Sequence, residues 1–384
     1  MDNAAAREVF SAICHRLHAN VQQGSPDQAE YVIRLPADLY RDPARFQKEI
    51  DRIFRQVPLL VALGCDVPEP GDFVTLTMIG HPLLIVRGDD GKARVFLNIC
   101  RHRGAALTHE ACGNQRVFTC PYHAWTYNRD GTIRGIPDSE TFGDPMIDGL
   151  IQLPSDEAAG AIFASLNLEK SFTAAEWLGA EMLESLEALR LDDMHPYRRT
   201  STLASPNWKL AADGYLDGYH IGLLHRNTIG TKAINNRNTY DLLGTHIRIG
   251  FANKGIDRIK TEPQETLSFP DCMSLVHYIF PNVSISGGHG DTIQLSRLHP
   301  GPGVNESTTV QYQYFREPVV GDMLEVAETK RAVYEQVVRD EDCETIFTIS
   351  DALDAMSGTS PIVFGRNEPA NQHLHRVISE MTDA

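Results

Sequence analysis

Four residues constrain this chain more than any others: Cys100 and His102 in one short segment, Cys120 and His123 in another. They form a C-x-H…C-x-x-H pattern with seventeen residues between His102 and Cys120. Two thiolates and two imidazoles can close a tetrahedral zinc site. They can also hold a [2Fe–2S] cluster, with both cysteines on one iron and both histidines on the other. Each segment supplies one Cys and one His, so two similar loops facing each other would each touch both irons. Zinc sites of this ligand set more often keep Cys with Cys and His with His, so the spacing favours the cluster. Cys14, Cys65, Cys112, Cys272 and Cys343 stand apart and read as small buried hydrophobes. Seven cysteines is an odd number in a chain of 384 residues, which argues against a disulfide framework and for a reducing, cytoplasmic setting.

The surroundings of the pattern read as a small antiparallel β domain. Phe73–Met78 and Leu83–Val86 have strand character, and Gly88-Asp89-Asp90-Gly91 and Asn128-Arg129-Asp130-Gly131 read as hairpin turns. Before it, Asp42-Pro43 opens a helix with Asp as N-cap, burying Phe46, Ile50, Ile53 and Phe54 on one face. After it, Thr173-Ala174-Ala175-Glu176 is a capping box leading an amphipathic helix to about Leu189. Strand-like runs at His246–Phe251, Leu275–Phe280 and Thr309–Phe315 and a helical stretch from about Met323 to Met356 make the remainder α+β. Gly287-Gly288-His289-Gly290 lacks the spacing of a dinucleotide fingerprint and reads as a turn. The formal net charge of −16 would repel a polyanion, so neither nucleic acid nor an anionic membrane surface is expected as a partner. The longest apolar run, Val57–Cys65, is too short to span a bilayer, and Met1-Asp2-Asn3 does not open a secretory signal.

A second constellation follows in Asp217-Gly218-Tyr219-His220-Ile221-Gly222-Leu223-Leu224-His225. Asp217 and His220 are three apart and would share a helix face. His220 and His225 are five apart, about 140° around an ideal helix, so binding one metal requires the helix to end, kink or bulge between them, with Gly222 the expected place.

Asn98–Gly104 and Cys120–Tyr127 closely resemble the two cluster-binding loops of Rieske-type iron–sulfur domains. Asn207-Trp208-Lys209, Asp213, Tyr215, Asp217, His220 and His225 resemble the segment of Rieske non-haem iron aromatic ring-hydroxylating oxygenases, α subunit, that supplies two ligands to a catalytic iron. The resemblance implies a residue 1–45 helical segment belonging to the catalytic domain, a Rieske domain over 46–168 and a catalytic domain over 169–384. It implies a helix-grip fold for the last, a large antiparallel sheet over a long C-terminal helix. It implies two cofactors: a [2Fe–2S] cluster on Cys100, His102, Cys120 and His123, and a mononuclear Fe(II) on His220, His225 and a carboxylate near the C-terminus, a facial triad that leaves room for O2. Glu341-Asp342 followed by an apolar stretch makes Asp342 the choice and Asp340 the runner-up. Asp217 matches the family Asp that bridges a cluster histidine of the partner subunit to the first iron histidine. Gly214 stands where many members carry Asn, so no role of that Asn transfers.

The resemblance further implies a terminal oxygenase that hydroxylates a small aromatic or similarly apolar molecule, by cis-dihydroxylation or monooxygenation, or carries out oxidative O- or N-demethylation. Electrons would come from a separate NAD(P)H-dependent reductase, with or without a ferredoxin, because the chain has no flavin or nicotinamide fingerprint. A homotrimer, or an α3β3 assembly with a small subunit, is implied. The competing reading is a helix-grip ligand-binding protein with a zinc-structured β module. Residues 223–240 and 275–286 are the expected cavity lining; Arg226, Lys232, Arg237 and Arg248 could each bind a substrate carboxylate, but Arg and Lys are rarely buried unpaired, so most of the four are expected at the surface.

Overall fold

The computed structural model describes residues 3–143, 148–356, 358 and 360–383. Its chain forms two compact units: Phe54–Trp177 with Leu191–Asp193, and Met1–Ile53 with Leu178–Arg190 and Met194–Ala384. No described helix is long and apolar enough to cross a membrane.

The smaller unit is built on three antiparallel strands, β1 (Asp72–Met78), β2 (His81–Arg87) and β3 (Ala93–Leu97). The short strands Cys112–Asn114 and Gln152–Leu153 pair on the two outer edges. Phe73, Leu84, Phe96, Phe118 and Tyr127 pack as one core. Both expected hairpin turns form. Gly91 closes the first with φ +77°, and Gly131 closes the second with φ +86° against the Phe96 ring, where a Cβ has no room. The second turn joins two strands of a separate three-stranded sheet that carries Cys120 and His123 at its edge.

The larger unit begins with helix α1 (Asn3–Gln23) and helix α2 (Pro43–Glu49), the latter capped by Asp42 accepting from the Ala44 N–H. Seven antiparallel strands follow: β4 (His195–Ser205), β5 (Ala233–Leu243), β6 (His246–Asn253), β7 (Met273–Ile279), β8 (Val283–Gly287), β9 (Thr292–Pro300) and β10 (Ser307–Phe315). Their order in the sheet is β4-β10-β9-β8-β7-β6-β5. Side chains alternate faces along a strand. Gly250 of β6 meets Ile13 and Leu17 of α1, which places that helix on one face, while Ile249 and Phe251 point to the other. The helical stretch expected over 323–356 forms as α4 (Met323–Val337), a π-helical segment (Val338–Cys343) and α5 (Glu344–Met356). Ser201 of β4 donates to Glu335 and accepts from Arg331, tying α4 to the sheet edge. The Thr173 N-cap forms, its hydroxyl accepting from the Glu176 N–H and donating to the Glu176 carboxylate, but the helix it opens breaks at Gly179 (φ +73°) and restarts at Ala180. Four of the five isolated cysteines are buried as expected, whereas Cys112, on an edge strand, is half-buried; all seven are free thiols.

Helix α3 (Trp208–Leu216) is held by charge as well as packing. Lys209 Nζ lies 2.7 Å from both carboxylate oxygens of Glu49 on α2, and Trp208 Nε1 donates to the same carboxylate at 2.9 Å. Both charges are buried, so loss of either partner would cost about 3–5 kcal/mol. This pairing makes α2 part of the platform that aims α3, and α3 delivers the second candidate site.

Candidate cluster loops and candidate metal centre

The two Cys/His segments of the smaller unit share one backbone design. Cys100 N–H donates to Ala105 O at 2.7 Å, and Gly104 N–H returns to Cys100 O at 2.9 Å. Cys120 N–H donates to Trp125 O at 2.8 Å, and Ala124 N–H returns to Cys120 O at 3.0 Å. In each loop the residue four after the cysteine takes a left-handed conformation, Gly104 at φ +79° and Ala124 at φ +59°. Asn98 splints the first loop, donating to Thr108 O and accepting from Leu107 N–H.

The thiols of Cys100 and Cys120 are buried, and each is 2% exposed. The Tyr127 hydroxyl lies 3.3 Å from Cys100 Sγ and accepts from the Arg101 N–H. Burial and the neighbouring Cys120 push the Cys100 thiol up, as expected for two thiols crowded together without a cation. His102 and His123 have ring centroids 4.6 Å apart, and Trp125 stacks flat on His102. Burial, with His123 and Arg103 nearby, lowers the His102 pKa. His102 Nδ1 is buried with no hydrogen-bond partner. A buried nitrogen left bare beside a second imidazole and two thiols is the condition a bound metal group would satisfy, so the residues fit a two-cysteine, two-histidine cluster.

In the larger unit, α3 ends at Leu216, and Asp217 is its C-cap with extended backbone. Asp217 and His220 therefore do not share a helix face. They meet through a turn: Tyr219 N–H donates to Asp217 Oδ1 at 2.6 Å, and His220 Nδ1 lies 3.0 Å from Asp217 Oδ2. The break expected at Gly222 is likewise placed differently, because residues 219–228 form successive turns rather than a helix. Gly222 is needed for another reason. Asn235 packs against its Cα and accepts from its N–H, leaving no space for a side chain.

These turns bring His220 and His225 together with Asp342 of the π-helical segment. His220 Nε2 and His225 Nε2 are 3.2 Å apart, and Asp342 Oδ1 is 3.4 Å from the first and 3.1 Å from the second. Three donors held about 2.1 Å from one ion at right angles sit roughly 3.0 Å apart, and a trans pair roughly 4.2 Å. The observed triangle contains no trans pair, so all three donors lie on one side of an ion, the facial arrangement if that ion is octahedral. Asp340, the alternative carboxylate, instead pairs with Arg339 at 2.7 Å and is exposed.

In the sequence Glu341 is only the acidic residue before Asp342; the structure gives it a partner. His225 Nδ1 lies 2.5 Å from Glu341 Oε2, which also accepts from Thr228 Oγ1 at 2.8 Å. Both histidines thus face a carboxylate through Nδ1, which fixes the hydrogen there and leaves Nε2 free to ligate. Burial opposes charge on His220, yet Asp217 and Asp342 beside it push the ring up to about 9. His225 is raised in the same way by Asp342 and Glu341, and against its own burial the two rings hold Asp342 below the usual carboxylate range. Without a cation, the carboxylates gather protons on the rings; a metal ion would take that positive role.

A cavity of about 500 Å3 opens beside the triad, walled by Phe251, Leu275, Val276, Ile293 and Val333 among others. A second, of about 370 Å3, reaches His220 and Asp342 past Leu210 and Ile346. Gly214 lines both, and a Cβ there would point at Ile346, so its lack of a side chain widens the site. From the ranges expected to line the site, Ile229, Ala233, Leu275, Val276 and Ser286 do so. The four cations proposed for a substrate carboxylate do not. Arg248 pairs with Asp241 and Arg237 donates to the Asn236 carbonyl of its own strand, while Arg226 and Lys232 are exposed.

Residues 58–154 match the Rieske [2Fe-2S] domain, and residues 191–384 match the ring hydroxylating alpha subunit (catalytic domain). The chain is 32% identical over 212 residues to the anthranilate 1,2-dioxygenase large subunit of Acinetobacter baylyi, covering 52% of this chain and 44% of that protein. It is 30% identical over 236 residues to the carnitine monooxygenase oxygenase subunit of Acinetobacter pittii, covering 60% and 63%. It is 33% identical over 237 residues to the N,N-dimethyl phenylurea N-demethylase subunit alpha of a Sphingobium species, covering 58% and 48%. The chain spans about half the length of the relatives it matches. Among solved structures, a quaternary ammonium Rieske monooxygenase in complex with L-carnitine aligns with TM-score 0.76 at 21% identity, covering 94% of this chain and 97% of that one. Naphthalene 1,2-dioxygenase from a Rhodococcus species aligns with TM-score 0.72 at 20% identity, covering 98% of each. At these identities the structures establish the shared fold. The family matches set the two cofactors, a Rieske [2Fe–2S] cluster and a mononuclear iron, and with them the chain belongs to the ring-hydroxylating alpha subunit family of Rieske oxygenases.

Proposed function

We propose that this chain is the terminal oxygenase of a multicomponent system, hydroxylating an aromatic or similarly apolar small molecule with O2. The carrying observation is the facial triangle of His220 Nε2, His225 Nε2 and Asp342 Oδ1 on the wall of a largely apolar cavity. In this reading Cys100, His102, Cys120 and His123 hold the cluster, and His220, His225 and Asp342 hold the iron. When bound, the two centres supply the electrons and the open coordination positions that O2 chemistry needs. The chain's own residues orient and exclude. Glu341 and Asp217 fix the two imidazoles, and Phe251 and Val276 hold the apolar part of the substrate and keep water out.

Electrons come from a separate NAD(P)H-dependent reductase, with or without a ferredoxin. The active form is a homotrimer or an α3β3 assembly. Seven free thiols favour a cytoplasmic location. Relatedness to a phenylurea N-demethylase supports a second reaction outcome at the same centre, oxidative demethylation.

The test is direct. Purified protein should hold about three iron per two acid-labile sulfide. With a reductase, a substrate panel and labelled O2, one or two labelled oxygen atoms should enter the product. Stoichiometric zinc without sulfide would sink the reading. Asp217 is the proposed coupling residue between a cluster histidine of the partner subunit and His220. Asp217→Asn keeps shape and removes charge, so both metals and cluster reduction should survive while cluster reoxidation by O2 with substrate slows by orders of magnitude. Near-normal turnover would remove the coupling role.

A further inference from the structure

The cavity wall opposite simple hydrophobicity is a row of cross-strand partners. Val276 of β7 faces Ser286 of β8, Ser286 faces Gln294 of β9, and Gln294 faces Gln313 of β10. All four line the cavity. The row therefore changes from apolar to amide within four strands. Gln294 and Gln313 are 8% and 7% exposed. Gln294 Nε2, Gln294 Oε1 and Gln313 Oε1 are buried and have no hydrogen-bond partner.

Buried amide atoms without partners are costly, and native proteins retain them where something else completes them. Whichever way each amide is turned, Gln294 offers a donating NH2 group and an accepting oxygen, and Gln313 adds a third unpartnered atom. The complementary group must both accept and donate. A trimethylammonium group does neither. A carboxylate only accepts, and Lys330, the only Lys or Arg lining the cavity among the described residues, is exposed over the Phe315 ring.

We propose that Gln294 and Gln313 are specificity-determining residues that bind a neutral amide, ureide or lactam group of the substrate, with an apolar remainder lying along Phe251 and Val276. This rests on the reading of the cavity as the substrate site. It narrows the substrate class from apolar molecules in general to apolar molecules with one neutral group that donates and accepts. A site that hydrogen-bonds its substrate rejects an analogue lacking the group, because its own polar atoms are then left bare.

Calorimetric titration of the oxidised holoenzyme, without reductant so that nothing turns over, tests this with three probes. They are acetanilide, its near-isostere isobutylbenzene, and phenyltrimethylammonium. Acetanilide should bind at least tenfold tighter than either. In Gln294→Met and Gln313→Met, of similar shape but apolar, that ratio should fall towards one while isobutylbenzene binds as well or better. Unliganded Gln294→Met should also melt about 2–4 °C higher, since an unsatisfied buried amide has gone. Equal affinity for acetanilide and isobutylbenzene in the unmodified protein overturns the proposal even if a variant fails to fold, as does a preference that survives both substitutions. The same titration on His225→Ala separates this inference from the oxygenase reading. An amide preference that persists without mononuclear iron upholds the glutamine site whatever becomes of turnover.

Discussion

The two candidate donor sets are built in opposite ways. In the smaller unit all four donors lie within residues 100–123, and each pair sits on a tight loop closed by its own backbone hydrogen bonds. In the larger unit, His220 and Asp342 come from segments more than a hundred residues apart, joined only when α3 and the π-helical segment are packed against the sheet. The loops can be recognised from spacing because local turns decide them. The triangle depends on tertiary structure, including the buried Glu49–Lys209 pair that fixes α3. The difference predicts that the sets fail differently when a donor is removed.

The largest effect is expected in the loops. Cys100→Ser should abolish the cluster, so that sulfide disappears and the red-brown absorbance with it. Metal binding couples to folding, and Cys100 and Cys120 sit in the same buried cluster as Phe73, Leu84 and Phe96, so residues 54–177 should also become sensitive to limited proteolysis. His225→Ala should do less structural damage and as much functional damage. Mononuclear iron and all turnover should be lost while the sulfide content and cluster spectrum remain. If either variant loses both metals, the two sets are not independent and the contrast breaks.

How much of this was legible in the sequence follows the same line. The C-x-H…C-x-x-H loops, their glycine-closed hairpins and the Asp42 cap all rest on local rules, and the structure has the loops, turns and cap where those rules put them. The encounter of Asp217 with His220 was expected from helical spacing, yet it arises from a turn after α3 has ended. The right pair was reached through the wrong geometry, because a three-residue separation is short enough to meet in either. Glu341 is silent in the sequence for a physical reason. Adjacent residues on a regular helix diverge by about 100°, so Glu341 and Asp342 are not expected to serve one ring. In the π-helical segment they bracket His225, Glu341 at Nδ1 and Asp342 at Nε2. The Gln294–Gln313 pair is equally silent in sequence, since only strand register places the two side by side.

Glu341→Gln sharpens the contrast at intermediate magnitude. Second carboxylates that orient a metal-bound histidine are worth about 10–100-fold in metal affinity. The amide can still accept from His225 Nδ1 but lacks the charge, so iron should dissociate about tenfold more readily in a chelator competition. The cluster should be unaffected. Unchanged iron retention would reduce Glu341 to a packing neighbour of Thr228.

The smallest expected effect decides which carboxylate completes the triangle. Asp340 lies two residues from Asp342 in the same segment, yet its oxygens face Arg339, itself largely exposed. A surface pair of this kind contributes roughly 0–1 kcal/mol. Asp340→Ala should therefore leave iron content, turnover and melting temperature near their starting values. Asp342→Ala should remove the mononuclear iron, because among the described residues its carboxylate is the one grouped with both histidines, within 3.4 Å of each Nε2. A reversed outcome would mean that the segment turns by two residues when metal binds, and a π-helical stretch is where such a shift in register is easiest. The paired substitution thus tests the carboxylate and, through it, whether this distant donor set is already shaped before the ion arrives.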